Sequence, residues 1–423
     1  MQVHIISKEA VKPSSPTPPH LRSYKLSFLD NLPSPTYTAR VLFYTTTKSS
    51  SDICYHLKTS LSETLTKYYP FAGRLSGGAT IDCNDQGAEF IEARVICTLS
   101  SILKSPKAED LHQLFPNGLV GNDSYKGGLV VIQFNSFECG GIAVSVCFSH
   151  RIADGSTMAH FMAGWAAVAC QASDEVQPMF ISEEPGSWPE TISSSRGIRP
   201  NKEPCTTRRF VFDAANVAKL KAIAEKSGVE NPTRVEVVTA LFYKCATAAV
   251  AGNRRSVLAQ TVNLRPRTDP PLPGNSVGNF CWYFIVSMDG ERDMALHEVL
   301  RLMRKGRSEF YAEYGESLQV KDWFTVVREK AKEAKRHFEG NADFISFNSS
   351  SMCRFPFYEV DFGWGRPIWA ALPGKVFKNT LVLMDTPSKD GIEAWVTLGE
   401  KEMVVFESDL ELLPFCSLNP SVV

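Results

Sequence analysis

His150, in the segment Ser149-His150-Arg151-Ile152-Ala153-Asp154-Gly155, is the side chain of this 423-residue chain best placed to do chemistry. An apolar stretch ends at Ser149, Asp154 follows four residues after the histidine, and a helical stretch begins beyond Gly155. An imidazole at the end of a strand is held by a rigid element and still faces open space. Its ordinary pKa lies near neutrality, so it can take a proton from a hydroxyl or amine. Acyl transfer from a thioester needs one such base, and needs neither a metal nor a protein nucleophile when both substrates bind together.

H-x-x-x-D fixes only two positions, which makes it a weak motif by itself. Asp154 also reads as the N-cap of the following helix, and a strand-end histidine also reads as a satisfied core group. The remaining histidines do not cluster with Cys, Asp or Glu at metal-ligand spacing, so no metal is expected. There is no G-x-S-x-G, which argues against an ester hydrolase with a nucleophile elbow. The absence of G-x-G-x-x-G and of a Walker A sequence argues against a dinucleotide site and a P-loop.

The elements that would position His150 can be read from periodicity. Residues 129–135 and 141–149 are strand candidates rich in β-branched residues, and 39–46 is a third. Residues 53–69 repeat apolar side chains at helical spacing, and 156–172 form a second helix. Residues 176–208, rich in proline and serine, are expected to be a crossover between domains 1–175 and 209–423. Beyond it the expectation is a strand at 209–212, helices at 214–227 and from about Thr233, a Pro-rich loop at 266–275, a strand at 280–287, a long helical stretch over 294–339 and a β-rich end.

Composition narrows the classes. Hydrophobic residues are 43% and charged residues 22%, the balance of a globular protein. A net charge of −1 argues against nucleic-acid binding and against a polybasic membrane anchor. The eleven cysteines show no C-x-x-C and read as free thiols. With no h-region at the start and no apolar run long enough to span a bilayer, the expected setting is cytoplasmic.

A second motif, Asp361-Phe362-Gly363-Trp364-Gly365, stands some 200 residues beyond His150. With PSSPTPPHLRSYKLSFLD near the start, YYPFAGRL, TRVEVVTALFYKC, VNLRPRTDPPLP, CRFPFYEVDFGWGRP and LMDTPSKDGIEAWV, it resembles the plant BAHD acyltransferase family, in the vinorine-synthase-like branch. The resemblance covers about residues 13 to 415. It implies an α/β fold of mixed sheets: two similar-sized chloramphenicol-acetyltransferase-like domains with a channel between them. A segment near 373–394 would return to the first domain.

The resemblance also implies roles. His150 matches the general base. Asp154 matches an aspartate that turns from the substrate to an arginine, here Arg265 or alternatively Arg267, and so braces the histidine loop with Gly155. Ser350 matches a donor to the developing oxyanion. Asp361 is commonly counted with the active site, although the family places Asp361, Phe362, Gly363, Trp364 and Gly365 in a structural role outside the channel. Thr233 and Arg234 match a pair that touches the CoA phosphates, and a hydroxyl and guanidinium at a helix start suit an anion. A helix cap with a surface arginine is the other reading.

The implied activity is O-acyl transfer from acyl-CoA, with acetyl-CoA the favoured co-substrate, to a hydroxyl of a plant alkaloid or terpenoid. A monomer with no bound cofactor is expected. Malonyl- or aromatic-acyl donors, or a family-fold lyase or ligand-binding protein, are the alternatives. Two departures bear on this. Met352 stands where the family commonly has Trp, which reshapes the wall near the acyl group. Ser276-Val277-Gly278-Asn279-Phe280 lacks the Tyr-Phe-Gly-Asn-Cys form of the flavonoid and anthocyanin malonyltransferases.

Overall fold

The computed structural model describes residues 1–423 apart from 34, 123–124, 126, 173–176, 182–203, 251–253, 290–293, 315–318, 320–321, 324, 330–343 and 375–376. Two mixed sheets organise the chain, each with its own helices and its own hydrophobic core.

The first sheet runs, in spatial order, Val3–Val11, Ala88–Val95, Val130–Phe137, Ile142–Ser149, Tyr37–Tyr44 and Trp369–Ala371. Every residue of Ile142–Ser149 is buried. Both faces of that strand are therefore covered, which is why its sequence is apolar on both faces, apart from the buried Ser145 and the terminal Ser149, rather than an alternation. The helices Ser50–Lys67 and Gly155–Ala169 pack on this sheet. Ile53, Leu57, Leu61 and Leu65 form the buried stripe of the first. Gly155–Ala169 is apolar almost all round and lies deep, with Trp165 fully enclosed.

The second sheet runs Cys281–Met288, Arg255–Asn263, Phe344–Ser351, Thr380–Asp385, Ile392–Gly399, Cys205–Phe212 and Ser417–Leu418. Helices Ala214–Lys226, Arg234–Val250, Leu296–Tyr314 and Glu400–Phe406 supply its core.

Several boundaries differ from the sequence reading. The strand expected at 209–212 begins at Cys205, because Thr206 and Thr207 pair with Leu398 and Thr397 of the neighbouring strand. The proposed crossover is shorter at that end, and its residues 182–203 lie outside the described ones. The helical stretch expected over 294–339 is described as Leu296–Tyr314 with further helical residues at 322–323 and 325–329, and 330–343 lie outside the described residues.

The returning segment is also corrected. Trp369–Ala371, not 373–394, joins the first sheet, with Trp369 opposite Phe43. Thr380–Asp385, inside the expected range, is an interior strand of the second sheet. Trp369 decides the crossing. Its ring stacks on Phe43 at 5.2 Å, and its indole N–H donates to the buried Glu393 carboxylate at 3.1 Å.

The cores also exchange residues: Phe28 and Leu29 pack in the second, Val277 and Phe357 in the first. All eleven cysteines are free, five of them buried. Among the described residues, no helix is long and apolar enough to cross a membrane, and no group of three or more His, Cys, Asp or Glu could hold a metal ion.

Candidate active site

The loop after Ile142–Ser149 turns sharply. The Ser149 amide donates to the Leu129 carbonyl at 2.8 Å and the His150 amide to the Thr36 carbonyl at 2.9 Å. These bonds carry the strand direction one residue past its end, so His150 leaves the sheet with its backbone pinned. Its side chain is half-buried.

Asp154 serves both as cap and as brace. Its Oδ1 accepts from the Thr157 amide at 2.8 Å, capping Gly155–Ala169. Its carboxylate also receives a two-pronged bond from Arg265, at 2.7 and 3.1 Å, and the Phe280 amide at 3.1 Å. Arg265 is buried and fully committed. It donates further to the Ser276 and Gly278 carbonyls and the Thr157 hydroxyl, and its guanidinium lies 5.0 Å from the Phe280 ring. Arg267 instead donates to the Tyr311 hydroxyl and the Asn263 carbonyl.

Asn279 fixes the imidazole. Its backbone and side-chain N–H groups both donate to Asp30 Oδ1, at 2.8 and 2.9 Å, and the side-chain amide donates also to the His150 carbonyl at 2.9 Å. An amide nitrogen facing two acceptors leaves its oxygen on the other side. That oxygen lies 3.0 Å from His150 Nδ1. Nδ1 must therefore carry the hydrogen, and Nε2 keeps its lone pair. Burial holds the His150 imidazole below its ordinary pKa, against the raising effect of its own backbone, Asp154 and Asn279. The Asp30 carboxyl is raised by burial, partly offset by the bonds from Ser27 and Asn279.

Ser350 is half-buried near the end of its strand, its hydroxyl 3.0 Å from that of Thr261. Two residues on, the Met352 amide donates to the Leu383 carbonyl at 2.7 Å. The Met352 thioether and the Phe355 ring fill the space above Gly155, where an added Cβ would meet them. Glycine at 155 thus lets the Ser350–Phe355 segment approach the start of the His150-side helix.

Asp361, expected with the catalytic set, is placed elsewhere. Its Oδ1 accepts from the Gly363 and Gly365 amides at 2.8 and 2.9 Å. Both glycines have positive φ, +96° and +107°, which permits that tight turn. The Cys170 thiol, at the far end of Gly155–Ala169, donates to the Asp361 carbonyl at 3.2 Å. A helix of 15 residues rises roughly 22 Å, so Asp361 and His150 stand at opposite ends of it. Phe362 packs on Trp165, and Trp364 on Tyr44 and His56.

Thr233 and Arg234 are taken up locally. Thr233 and Glu236 exchange bonds, the Glu236 amide donating to the Thr233 hydroxyl at 3.1 Å and the Thr233 amide to the Glu236 carboxylate at 2.9 Å, a capping box. Arg234 pairs with Asp385 at 3.0 Å and donates to the Lys389 carbonyl at 2.8 Å.

Sequence reasoning missed Asn279 and Asp30. Asn279 was noted only for the form of its segment, and nothing local to Asp30 marks it. Their partners lie 129 and 249 residues away.

These features define an acyltransferase of the two-domain, chloramphenicol-acetyltransferase-like kind. A family model described as the Transferase family matches residues 1–413, and the chain belongs to that family, the BAHD acyltransferases. It is 43% identical to akuammiline synthase 1 of Alstonia scholaris, over 98% of this chain and 97% of that protein. It is 39% identical to 17,18-epoxy-17-hydroxycur-19-ene N-malonyltransferase of Strychnos nux-vomica, over 99% and 91%. The crystal structure of vinorine synthase superposes with a TM-score of 0.85 at 30% identity, covering all of both chains.

Proposed function

We propose that this protein transfers an acetyl group from acetyl-CoA to a hydroxyl of a plant alkaloid or terpenoid alcohol. The observation that carries the reading is the His150–Asn279 bond, which leaves Nε2 as the free base. The acceptor oxygen forms its bond to the thioester carbonyl carbon while Nε2 takes the hydroxyl proton. The resulting oxyanion is met by Ser350 and nearby backbone N–H groups. As it collapses, the carbon–sulfur bond breaks, and CoA thiolate takes up the proton from the imidazolium. No acyl-enzyme forms. A donor of the Ser350 kind is worth about 2.7–4 kcal/mol in the transition state. Asp154 and Arg265 hold the loop and take no part in proton transfer, and the two substrates would enter a channel between the domains from opposite sides.

Acetyl is favoured because residues 353–367 and 383–396 are similar to the vinorine-synthase-like branch. The malonyltransferase relative makes malonyl-CoA the rival donor and an amine the rival acceptor. Purified protein would be incubated with acetyl-, malonyl- or an aromatic acyl-CoA and a panel of plant alcohols and amines. Free thiol and product mass would be followed. Thiol release with acetyl-CoA and an alcohol, with a product heavier by one acetyl, is the expected result. Release with malonyl-CoA alone would overturn the donor, and release with no donor would overturn the transfer reading.

A further inference from the structure

Arg40 is a charged side chain that the transfer mechanism does not use. It lies on Tyr37–Tyr44, an interior strand of the first sheet, and is only 6% exposed. Alternation along the strand puts Thr38, Arg40 and Leu42 on one face. Across the sheet that face continues through Phe148, opposite Thr38, and through Val146, which stands opposite both Arg40 and Ile132. Phe148 packs on Phe71 and, at 5.0 Å, on Phe161 of Gly155–Ala169. Arg40 therefore stands on the apolar, helix-covered side of the sheet.

Its guanidinium has no counterion there. Among the described residues its one hydrogen bond runs from Nη1 to the carbonyl of its own neighbour, Ala39, at 2.6 Å. Its Nε–H is enclosed without an acceptor. Burial pulls the guanidinium down to about 9, and no carboxylate opposes that pull. It still carries its charge at neutral pH. Two other deeply buried arginines are paired, Arg209 with Glu393 at 2.8 Å and Arg265 with Asp154 at 2.7 Å. A charge taken out of water is costly unless it is paired. An unpaired arginine in an apolar strand is accounted for by an anion that arrives with a substrate. The Thr38 hydroxyl, on the same face, is likewise enclosed without a partner.

Both groups adjoin the His150 site. Their strand begins after Thr36, whose carbonyl pins the His150 amide, and Tyr37 is paired with Ser149. Arg40 lies roughly 13 Å of strand beyond Thr36. Its guanidinium is 5.8 Å from the Phe357 ring, which in turn is 6.3 Å from the Phe355 ring. Phe355 and Met352 cover Gly155, and Ser350 precedes them on the same segment. Arg40 is thus walled by the segment that carries the oxyanion donor of the mechanism above.

We propose that Arg40, assisted by Thr38, binds a carboxylate carried by one of the two substrates and so selects for an acid. The carboxylate belongs either to an acidic acceptor alcohol or to the far end of a dicarboxylic thioester such as malonyl-CoA. A planar carboxylate meets a guanidinium with two parallel bonds. Arg40 takes no part in proton transfer. The inference rests on the acyl-transfer reading above.

Calorimetric affinities of the full chain and of Arg40→Leu test it in two arms. One compares malonyl-CoA with acetyl-CoA. The other compares terpenoid and alkaloid hydroxy acids with their methyl esters, in the presence of CoA. Wild type should favour the carboxylate at least about tenfold in one arm, the value of a charge-assisted bond. Arg40→Leu should lose that preference, bind acetyl-CoA as wild type does, and melt no lower, because an apolar side chain suits that face. Arg40→Gln gives the same reading if Arg40→Leu does not fold. Preference in the first arm assigns the carboxylate to the donor and replaces acetyl there. Preference in the second assigns it to the acceptor. Equal affinities in both arms, which wild type alone reveals, would overturn the proposal, as would a preference that survives the loss of the guanidinium. A preference that depends on Arg40 without thiol release from any pair of substrates would sink the transfer reading and leave this one standing. Thiol release without the preference would sink only this one.

Discussion

Asp154 and Arg265, 111 residues apart in the chain, meet at 2.7 Å with both side chains almost fully buried. The pair joins the start of the His150-side helix to the loop after a strand of the second sheet. Asp154→Asn leaves the guanidinium buried without its charge partner, at a cost of about 3–5 kcal/mol. Both turnover and the urea midpoint should fall. Lost turnover with an unchanged midpoint would mean that Asp154 acts chemically rather than as a brace.

His150→Ala should reduce turnover about 10²–10⁴-fold while the circular dichroism spectrum and melting temperature stay close to wild type. Near-normal turnover would rule out this imidazole as the base.

Asn279→Ala removes the acceptor that selects the imidazole tautomer. The loss of one such bond, about 1.4 kcal/mol, corresponds to roughly tenfold in rate. Because the Asn279 bond raises the His150 pKa, its removal should move the acidic limb of the pH–rate profile to lower pH. A pure change of amplitude, with the limb in place, would assign Asn279 to packing alone.

Burial lowers the folded pKa of His150 and, by the same cause, of His160. An unfolded chain binds protons at these imidazoles near pH 6.5. As pH falls through about 6.5 toward the folded values, the unfolded state takes up protons that the native state refuses, so stability should decline. The acidic limb of the rate should likewise lie below about 6.5. Denaturant titrations from pH 7.5 to 5, on wild type and His150→Gln, check the sign: the variant should lose less stability on acidification.

Asp361→Ala unties two amides from one carboxylate oxygen and should cost about 1–3 kcal/mol of stability. Turnover per folded molecule should hold. A large drop in turnover with stability intact would return Asp361 to the catalytic set.

Much of this protein follows from local signals. The buried run ending at Ser149, the following His150, and the Asp154-Gly155 helix start are each set by neighbours a few residues away, through alternation, apolar density and capping. Family segments in order carried the fold class. What the tertiary structure alone decided involves partners far apart in the chain. Arg265 rather than Arg267 takes Asp154, because only its guanidinium is enclosed with that carboxylate and the Ser276 and Gly278 carbonyls. Asn279 reaches His150 across 129 residues and is itself held by Asp30 across 249, Trp369 bridges Phe43 of the first sheet and Glu393 of the second, and Asp361 folds back on its own glycines. Periodicity reports which face of an element is buried. It does not report which buried polar group meets which, because that pairing is settled only when the two sheets pack and each group removed from water must find a partner.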